Sequence, residues 1–299
     1  MKKPNFIIAG FPKCGTTSLY HYLNEHPEIY MPQKKELHFF THKIISKLRS
    51  GPKDSVVKET QINSSEKYLG YFNSVTKELA IGDASPSYIN YPSEFPQIKK
   101  YLNDPKVIII IRDPINRAYS NYLHLKREYR ETLTFKDAIN SEEDRIKNKY
   151  SDFWYYKFNS TYYDKIVEAK RVFSNVLVLT AEELNNDPSA TLNKVYKFLA
   201  VDDSFSFEKI STRFNVGGIY KKNLFTKFLF QPSRFKNTLK KFIKPTAFVK
   251  IIFMRLSSIF RSEPEQIEEE VIEQLKGHFK NDVENLKNLN INMSKWNDY

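Results

Sequence analysis

The amino-acid sequence predicts an α/β fold, a parallel β-sheet covered by helices. Short β-branched runs alternate with longer helical patterns, the order expected when crossover helices return the chain to a parallel sheet. One run, Val107–Ile111, is apolar without alternation, as a central strand buried on both faces requires. Near the start, an apolar run leads through a glycine-bearing turn into an amphipathic helix.

Taken in order, strands are expected at Asn5–Ala9, Leu79–Gly82, Val107–Ile111 and Val176–Leu179. Helices are expected at Thr16–Glu25, Pro114–Arg127, Thr161–Val172, Ser189–Ala200 and Pro264–Leu289. The last opens on Ser262-Glu263-Pro264-Glu265, a capping-box pattern with proline in the first turn. Thr41–Lys77 reads as an irregular, partly helical insertion. No repeat, low-complexity tract or Gly/Ser linker divides the 299 residues, so a single domain, 1–299, is expected.

Hydrophobic residues make up 40%, with 23 Phe and 19 Tyr, enough for a sizeable core and against disorder. A lone cysteine, Cys14, excludes an intramolecular disulfide and suits a reducing, cytoplasmic setting. Lys2 and Lys3 precede the apolar run Phe6–Phe11, but the run is short and lacks a small-residue cleavage site. No stretch reaches the ~18 apolar residues of a membrane span, so a soluble protein, at most peripheral to a membrane, is expected.

The net charge of +12 is unevenly placed. From Lys209 to Ser262 there is no Asp or Glu, while Lys and Arg occur 13 times; the rest carries 34 basic and 35 acidic residues. Such a stretch suits an anionic ligand, a nucleic acid or an anionic membrane surface.

The turn after the first strand reads Gly10-Phe11-Pro12-Lys13-Cys14-Gly15-Thr16-Thr17-Ser18. A strand, a glycine turn and a helix N-terminus gather free amides and the positive end of the helix dipole, which suits phosphate. Gly10, Gly15 and Thr17 match the spacing of the nucleotide-binding Walker loop, but Thr16 stands where its lysine belongs. The lysine is Lys13, inside the turn. An ordinary nucleoside triphosphatase is therefore disfavoured, whereas a cation, hydroxyls and amides still face an anion.

A second anion site follows Val107–Ile111. Arg112 sits at the carboxyl end of that strand, where open α/β sheets bind ligands. Asp113 suits the N-cap and Pro114 the first helical position, and Asp113, Arg117 and Ser120 fall on one helical face. A guanidinium and a hydroxyl there can hold phosphate; the plainer reading is an ion pair of Arg112 or Arg117 with Asp113. Two phosphate sites at strand ends point to a nucleotide phosphorylated at both ends.

Phe11–Ser18 resembles the 5'-phosphosulfate loop of sulfotransferases that use 3'-phosphoadenosine 5'-phosphosulfate (PAPS), and Arg112 through Ser120 resembles their 3'-phosphate motif. Lys34-Lys35-Glu36-Leu37-His38-Phe39-Phe40 is similar to a segment of the heparan sulfate and bacterial carbohydrate enzymes. Asn215–Lys222 resembles their late cofactor loop and Phe279–Trp296 their closing helix and tryptophan, so the likeness spans nearly the whole chain. It implies a three-layer, P-loop-like α/β fold with no catalytic metal, PAPS as donor and a hydroxyl acceptor, a glycan or lipid-linked glycan. It implies cofactor contacts at Lys13, Gly15, Thr16, Thr17, Ser18, Arg112, Ser120, Lys221 and Lys222, with Lys13 also stabilising the leaving group. Two departures stand out. Ala84 occupies the lysine position of a G-E-K-[ST]-P segment, and Gly217–Lys222 lacks the family's lysine-glycine-arginine pattern.

An attacking hydroxyl must lose its proton to a base. Glu36 is favoured over His38; were the segment extended, both side chains would share a face and His38 could orient Glu36. His21, His26, His42, His124 and His278 read as ordinary, with no metal-ligand spacing. Phe153–Tyr156 with Tyr162 and Tyr163 reads as core before it reads as a stacking surface. A P-loop kinase would need a lysine at position 16 and a magnesium carboxylate. A basic protein binding membrane or nucleic acid through 209–262 would leave both phosphate motifs unexplained, and no nucleic acid is expected.

Overall fold

The computed structural model describes residues 2–57, 61–205, 219–220, 226, 231–233 and 261–299. In chain order the elements are β1 (Phe6–Gly10), α1 (Thr16–Leu23), β2 (Ile29–Tyr30), α2 (His42–Ile45), α3 (Asp54–Val57), α4 (Ser65–Gly70), β3 (Ala80–Ala84), α5 (Phe95–Leu102), β4 (Lys106–Ile111) and α6 (Pro114–Arg127). There follow α7 (Phe135–Asn140), α8 (Glu142–Lys147), α9 (Tyr163–Val172), β5 (Val176–Thr180), α10 (Ala181–Asn186), α11 (Pro188–Leu199), β6 (Ile219–Tyr220), β7 (Arg261–Ser262) and α12 (Glu269–Lys287). Five strands form one parallel sheet in the order β2-β3-β1-β4-β5. It is the helix-flanked parallel sheet that the sequence predicts.

Central placement follows from side chains. Every residue of β1 and β3 is buried, as are Val107–Ile111 of β4, because helices cover both faces. The chain leaves β1 for the edge strand β2, returns to β3 beside β1, and then crosses to β4 on the other side of β1, so the order reverses there. The crevice beyond the carboxyl ends of β1 and β4 is thus the place where such a sheet accepts a ligand. A second apolar cluster, centred on Leu125, Trp154, Tyr156, Leu275 and Phe279, locks α12 against α6.

The four expected strands differ from observation by one or two residues at their ends, the short strands β2, β6 and β7 were not expected, and three helix starts or stops differ for identifiable reasons. α1 stops at Leu23, two residues early, because Glu25 and His26 donate to Tyr22 and Leu23 in a tightened turn before Pro27. α9 starts at Tyr163 rather than Thr161: the Asp282 carboxylate, reaching over from α12, accepts the Tyr162 and Tyr163 amides at 2.9 and 2.8 Å. α12 starts at Glu269, and the capping box expected at Ser262 does not form. Ser262 instead pairs with Ile219 in the antiparallel β6–β7 ribbon, and the Glu265 carbonyl accepts the Tyr119 hydroxyl. Of the expected cofactor loop Asn215–Lys222 only the backbone of Ile219 and Tyr220 is described; Lys221, Lys222 and most of the basic stretch lie outside the described residues.

Candidate functional site

The phosphate loop is shaped by two glycines. A Cβ on Gly10 would stand 2.2 Å from Ile89 Cγ2, and Gly15 has φ 98°, a left-handed backbone that side chains rarely adopt. Gly15 is the N-cap of α1, which has no side-chain cap, so its first-turn amides face outward. Arg117 braces the loop from beneath: its Nε donates to Pro12 O at 3.0 Å, and its Nη atoms are taken by Tyr156 O, Ser160 Oγ and Asn121 Oδ1. This fully buried guanidinium is a strut, and the Arg–Asp113 ion pair weighed from sequence does not form. Asp113 instead caps α6 through Asn116 N at 2.8 Å. Its other oxygen accepts Asn297 N, Asn297 Nδ2 and the Tyr299 hydroxyl at 2.9, 2.9 and 3.1 Å.

One cavity of about 570 Å³ opens here, and it collects the residues singled out from sequence. Lys13, Gly15, Thr16, Thr17, Ser18, Glu36, His38, Arg112 and Ser120 all line it. Lys13 and Arg112 have no hydrogen-bonding or ion-pairing side-chain partner among the described residues. Burial first, then the neighbouring Arg127 and Arg117 guanidinium groups, push the Lys13 amine down to about 7. Glu36 and Glu128 offset this only in part, and a cation so strained with no carboxylate at ion-pair distance fits an anionic ligand. Cys14, beside it, is fully buried, and burial pushes its thiol up to about 12, which disfavours the thiolate that a nucleophile needs.

The Lys34–Phe40 segment is not extended. Glu36 and His38 both have left-handed backbones, φ 62° and 53°, because the segment is pinned crosswise to the end of β3. Glu36 N donates to Ala84 O at 2.9 Å and His38 N to Ser85 Oγ at 3.2 Å. Both side chains still face the cavity, with His38 Nε2 3.9 Å from Glu36 Oε2. His38 Nδ1 is hydrogen-bonded to Ser87 Oγ at 2.7 Å. Ser85 also donates to the buried Asp83 carboxylate at 2.7 Å, so the segment rests on a fixed polar base. Burial works to raise the Glu36 pKa, but the Lys35 and His38 charges outweigh it and hold the carboxyl below its usual range. Burial holds the His38 imidazole below its usual value, partly offset by Glu36.

Sequence reasoning passed over four further lining residues. Lys35 Nζ donates to Thr16, Thr17 and Glu36 at 3.3, 2.8 and 3.1 Å, and so bridges the phosphate loop to the expected base. His124, set aside as ordinary, lines the cavity with Arg127 and Glu128. Its Nε2 lies 3.4 Å from Glu128 Oε1, and Arg127 Nη2 donates to its Nδ1 at 3.1 Å. The signal was present: Ser120, His124, Arg127 and Glu128 follow helical three- and four-residue spacing. Glu128 also accepts from Arg130 at 3.1 Å, and although burial opposes it, His124 and Arg130 hold its carboxyl down at about 2. Beyond them the wall is Ser87, Ser151, Asp152, Phe153 and Asn159.

Comparison with known proteins agrees with this geometry. The Sulfotransferase family matches residues 4–204. The crystal structure of a sulfotransferase from Alicyclobacillus acidocaldarius superposes with a TM-score of 0.77 at 29% identity, covering 99% of both chains. The membrane-associated sulfotransferase kil1 of Dictyostelium discoideum is 34% identical over 150 residues, 48% of this chain and 29% of that protein. Human carbohydrate sulfotransferase 15 is 27% identical over 243 residues, 66% of this chain and 43% of that protein. The chain thus spans less than half the length of these two relatives. Its family match, from β1 to just past α11, contains every strand of the parallel sheet and every described wall of the cavity, and the chain belongs to the sulfotransferase family.

Proposed function

We propose that the protein moves a sulfuryl group from PAPS to a hydroxyl of a glycan. One observation carries the reading. Two cations at separate strand ends, unpaired among the described residues, meet a helix N-terminus and a carboxylate–imidazole pair in a single cavity. The residues fit a donor with phosphates at two ends: Lys13, the amides of Gly15–Ser18 and the hydroxyls of Thr16, Thr17 and Ser18 for the 5' side, Arg112 and Ser120 for the 3'-phosphate. Lys221 and Lys222 would add contacts from the late loop.

Bound PAPS supplies the sulfuryl group: a bond forms from the acceptor oxygen to sulfur as the bond from sulfur to the bridging oxygen breaks, leaving 3',5'-ADP. Glu36, already ionised, takes the acceptor proton. His38, fixed by Ser87, stands 3.9 Å from Glu36 and is placed to share the proton. Lys13 donates toward the bridging oxygen, where negative charge grows, and helps most in a cavity screened from water. No step assigned to these residues calls for a metal.

The acceptor end supports a sugar. Ser87, Ser151 and Asp152 offer hydrogen-bond partners for hydroxyls, and Phe153 an apolar surface for a ring. The names of the relatives, a carbohydrate sulfotransferase among them, favour the same class. We read 1–299 as one catalytic domain. The cytoplasm suits its lone, buried Cys14, and peripheral contact with anionic membrane is assigned to the 209–262 stretch. Among the described residues no helix is long and apolar enough to cross a membrane.

The test is incubation with radiolabelled PAPS and a panel of glycan, lipid and phenol acceptors. Label is expected on a glycan hydroxyl. Absence of transfer to every acceptor, together with equal binding of 3',5'-ADP and 5'-AMP, overturns the reading.

A further inference from the structure

We propose that Lys35 is a positioning residue for the reaction: anchored on the phosphate loop, it holds Glu36 aimed into the cavity and in its ionised form. The inference rests on Glu36 being the base.

The geometry asks for such a residue. Glu36 sits on a left-handed backbone whose amide is fixed to Ala84 O, yet its side chain is half exposed, at 50%. A long, half-exposed carboxylate samples many rotamers unless something restrains it. Lys35 is the restraint. Its side chain is only 14% exposed, and its ammonium meets three oxygens, Thr16 Oγ1, Thr17 Oγ1 and Glu36 Oε1. A lysine ammonium has three N–H donors, so each can be used. Two of the three acceptors belong to the first turn of α1, a rigid part of the fold with Thr16 itself buried. The aim of Glu36 is therefore set from the phosphate loop. The other restraint, His38 Nε2 at 3.9 Å from Glu36 Oε2, is beyond hydrogen-bond distance.

The same contact fixes protonation. The charged groups facing Glu36 are Lys35 and His38 on its own segment, Lys13 on the phosphate loop and His124 on α6. Although half of its side chain is exposed, the protein packed round the cavity mouth still disfavours the carboxylate, and Lys35 is the largest of the influences that reverse this. The base works only when ionised. Removing the lysine charge raises the Glu36 pKa, so activity is lost first at low pH and the acid limb of turnover moves upward.

The experiment is kcat against pH for Lys35→Met and Lys35→Arg beside the parent, with 3',5'-ADP affinity measured on each. Lys35→Met is expected to move the acid limb up by about one unit, which is ~tenfold lower turnover on that limb. The loss should shrink as pH rises, with 3',5'-ADP affinity within about threefold, a difference of well under 1 kcal/mol. Lys35→Arg should return the limb toward the parent position. A limb that stays in place overturns the proposal. So does a pH-independent loss tracking weakened 3',5'-ADP binding, which would make Lys35 a ligand of the donor. Failure of the underlying reading looks different: Glu36→Gln would then keep the parent's turnover and acid limb.

Discussion

The two halves of the cavity are built on opposite electrostatic plans. Around the phosphate loop, Lys13 and Arg112 meet no carboxylate at ion-pair distance among the described residues. Along the wall formed by α6 and the segments packed against it, nearly every charge is answered. Glu128 lies between His124 and Arg130, and Asp54 accepts from Arg130, Gly51 N, Ser151 N and Trp154 Nε1. Asp152 accepts the Tyr91 hydroxyl at 3.0 Å. The first half is electrostatically incomplete until an anion arrives. The second is complete already and offers hydrogen bonds more than charge. An anionic donor in one half and a hydroxyl acceptor in the other follow from that contrast, with Glu36 and Lys35 at the boundary.

The contrast can be broken most decisively at the boundary. Glu36→Gln keeps shape and removes the base, so kcat is expected to fall by about two orders of magnitude or more while 3',5'-ADP affinity holds. Lys13→Ala should damage both, because its charge serves bound phosphate and leaving group alike. If Glu36→Gln retains turnover and His38→Ala abolishes it, the base is His38. Next in size is Arg112→Ala. Losing charged hydrogen bonds at ~1.5–3 kcal/mol each should weaken 3',5'-ADP by about ten- to a hundredfold or more and leave 5'-AMP nearly unchanged. Equal losses for the two nucleotides, measured by titration calorimetry, would remove Arg112 from the 3' side.

A smaller effect sharpens the incomplete half itself. In the free protein the Lys13 amine lies at about 7, pushed down by burial and two guanidinium groups, so it is largely neutral at pH 8. An anion beside it favours the charged form and raises that value. Binding of 3',5'-ADP at pH 8 should therefore take up close to one proton, and affinity should decline as pH rises above about 7. Calorimetry in buffers of different ionisation enthalpy reads the uptake, and Lys13→Ala should abolish it. Binding without proton uptake in the parent would mean that Lys13 does not face the anion.

How much of this the sequence revealed depended on how local the signal was. β4 and the turn Gly10–Ser18 announce themselves within a dozen residues, since burial and turn chemistry act on neighbours. The gathering of Lys13, Glu36, Arg112 and Ser120 into one cavity follows from strand order, which the β-α alternation already suggested. What stayed hidden depends on partners distant in sequence. Asp282 moves the start of α9 by two residues, and Glu36, pinned to Ala84, takes a left-handed backbone rather than an extended one. Lys35 stood inside a quoted motif, yet its role needs α1 beside it. His124 was legible as part of a helical stripe but was weighed alone. The closure of Asp113 by Asn297 and Tyr299 spans most of the chain and leaves no local mark.

That closure carries the smallest expected effect and tests whether the incomplete half is held in place from outside. Asp113 follows Arg112 directly and caps α6, which carries Ser120, so the two proposed 3'-phosphate contacts share one short frame. Three donors from Asn297 and Tyr299 converge on Asp113 Oδ2, while Trp296 Nε1 donates to Glu182 at 3.1 Å, and Glu182 accepts the Asp113 amide at 3.2 Å. Tyr299→Phe removes one of the three and keeps the ring; Asn297→Ala removes the side-chain amide and keeps the backbone N–H. Each lost bond is expected to cost about 1 kcal/mol of stability, read as a lower denaturation midpoint. If the frame matters to the ligand, the double variant should also weaken 3',5'-ADP by about threefold to tenfold with 5'-AMP unaffected, since the frame bears on Arg112 and Ser120 rather than on Lys13. A stability loss with both affinities unchanged would show that Asn297 and Tyr299 only complete the cap of α6, and that Arg112 is set by the carboxyl end of β4 alone.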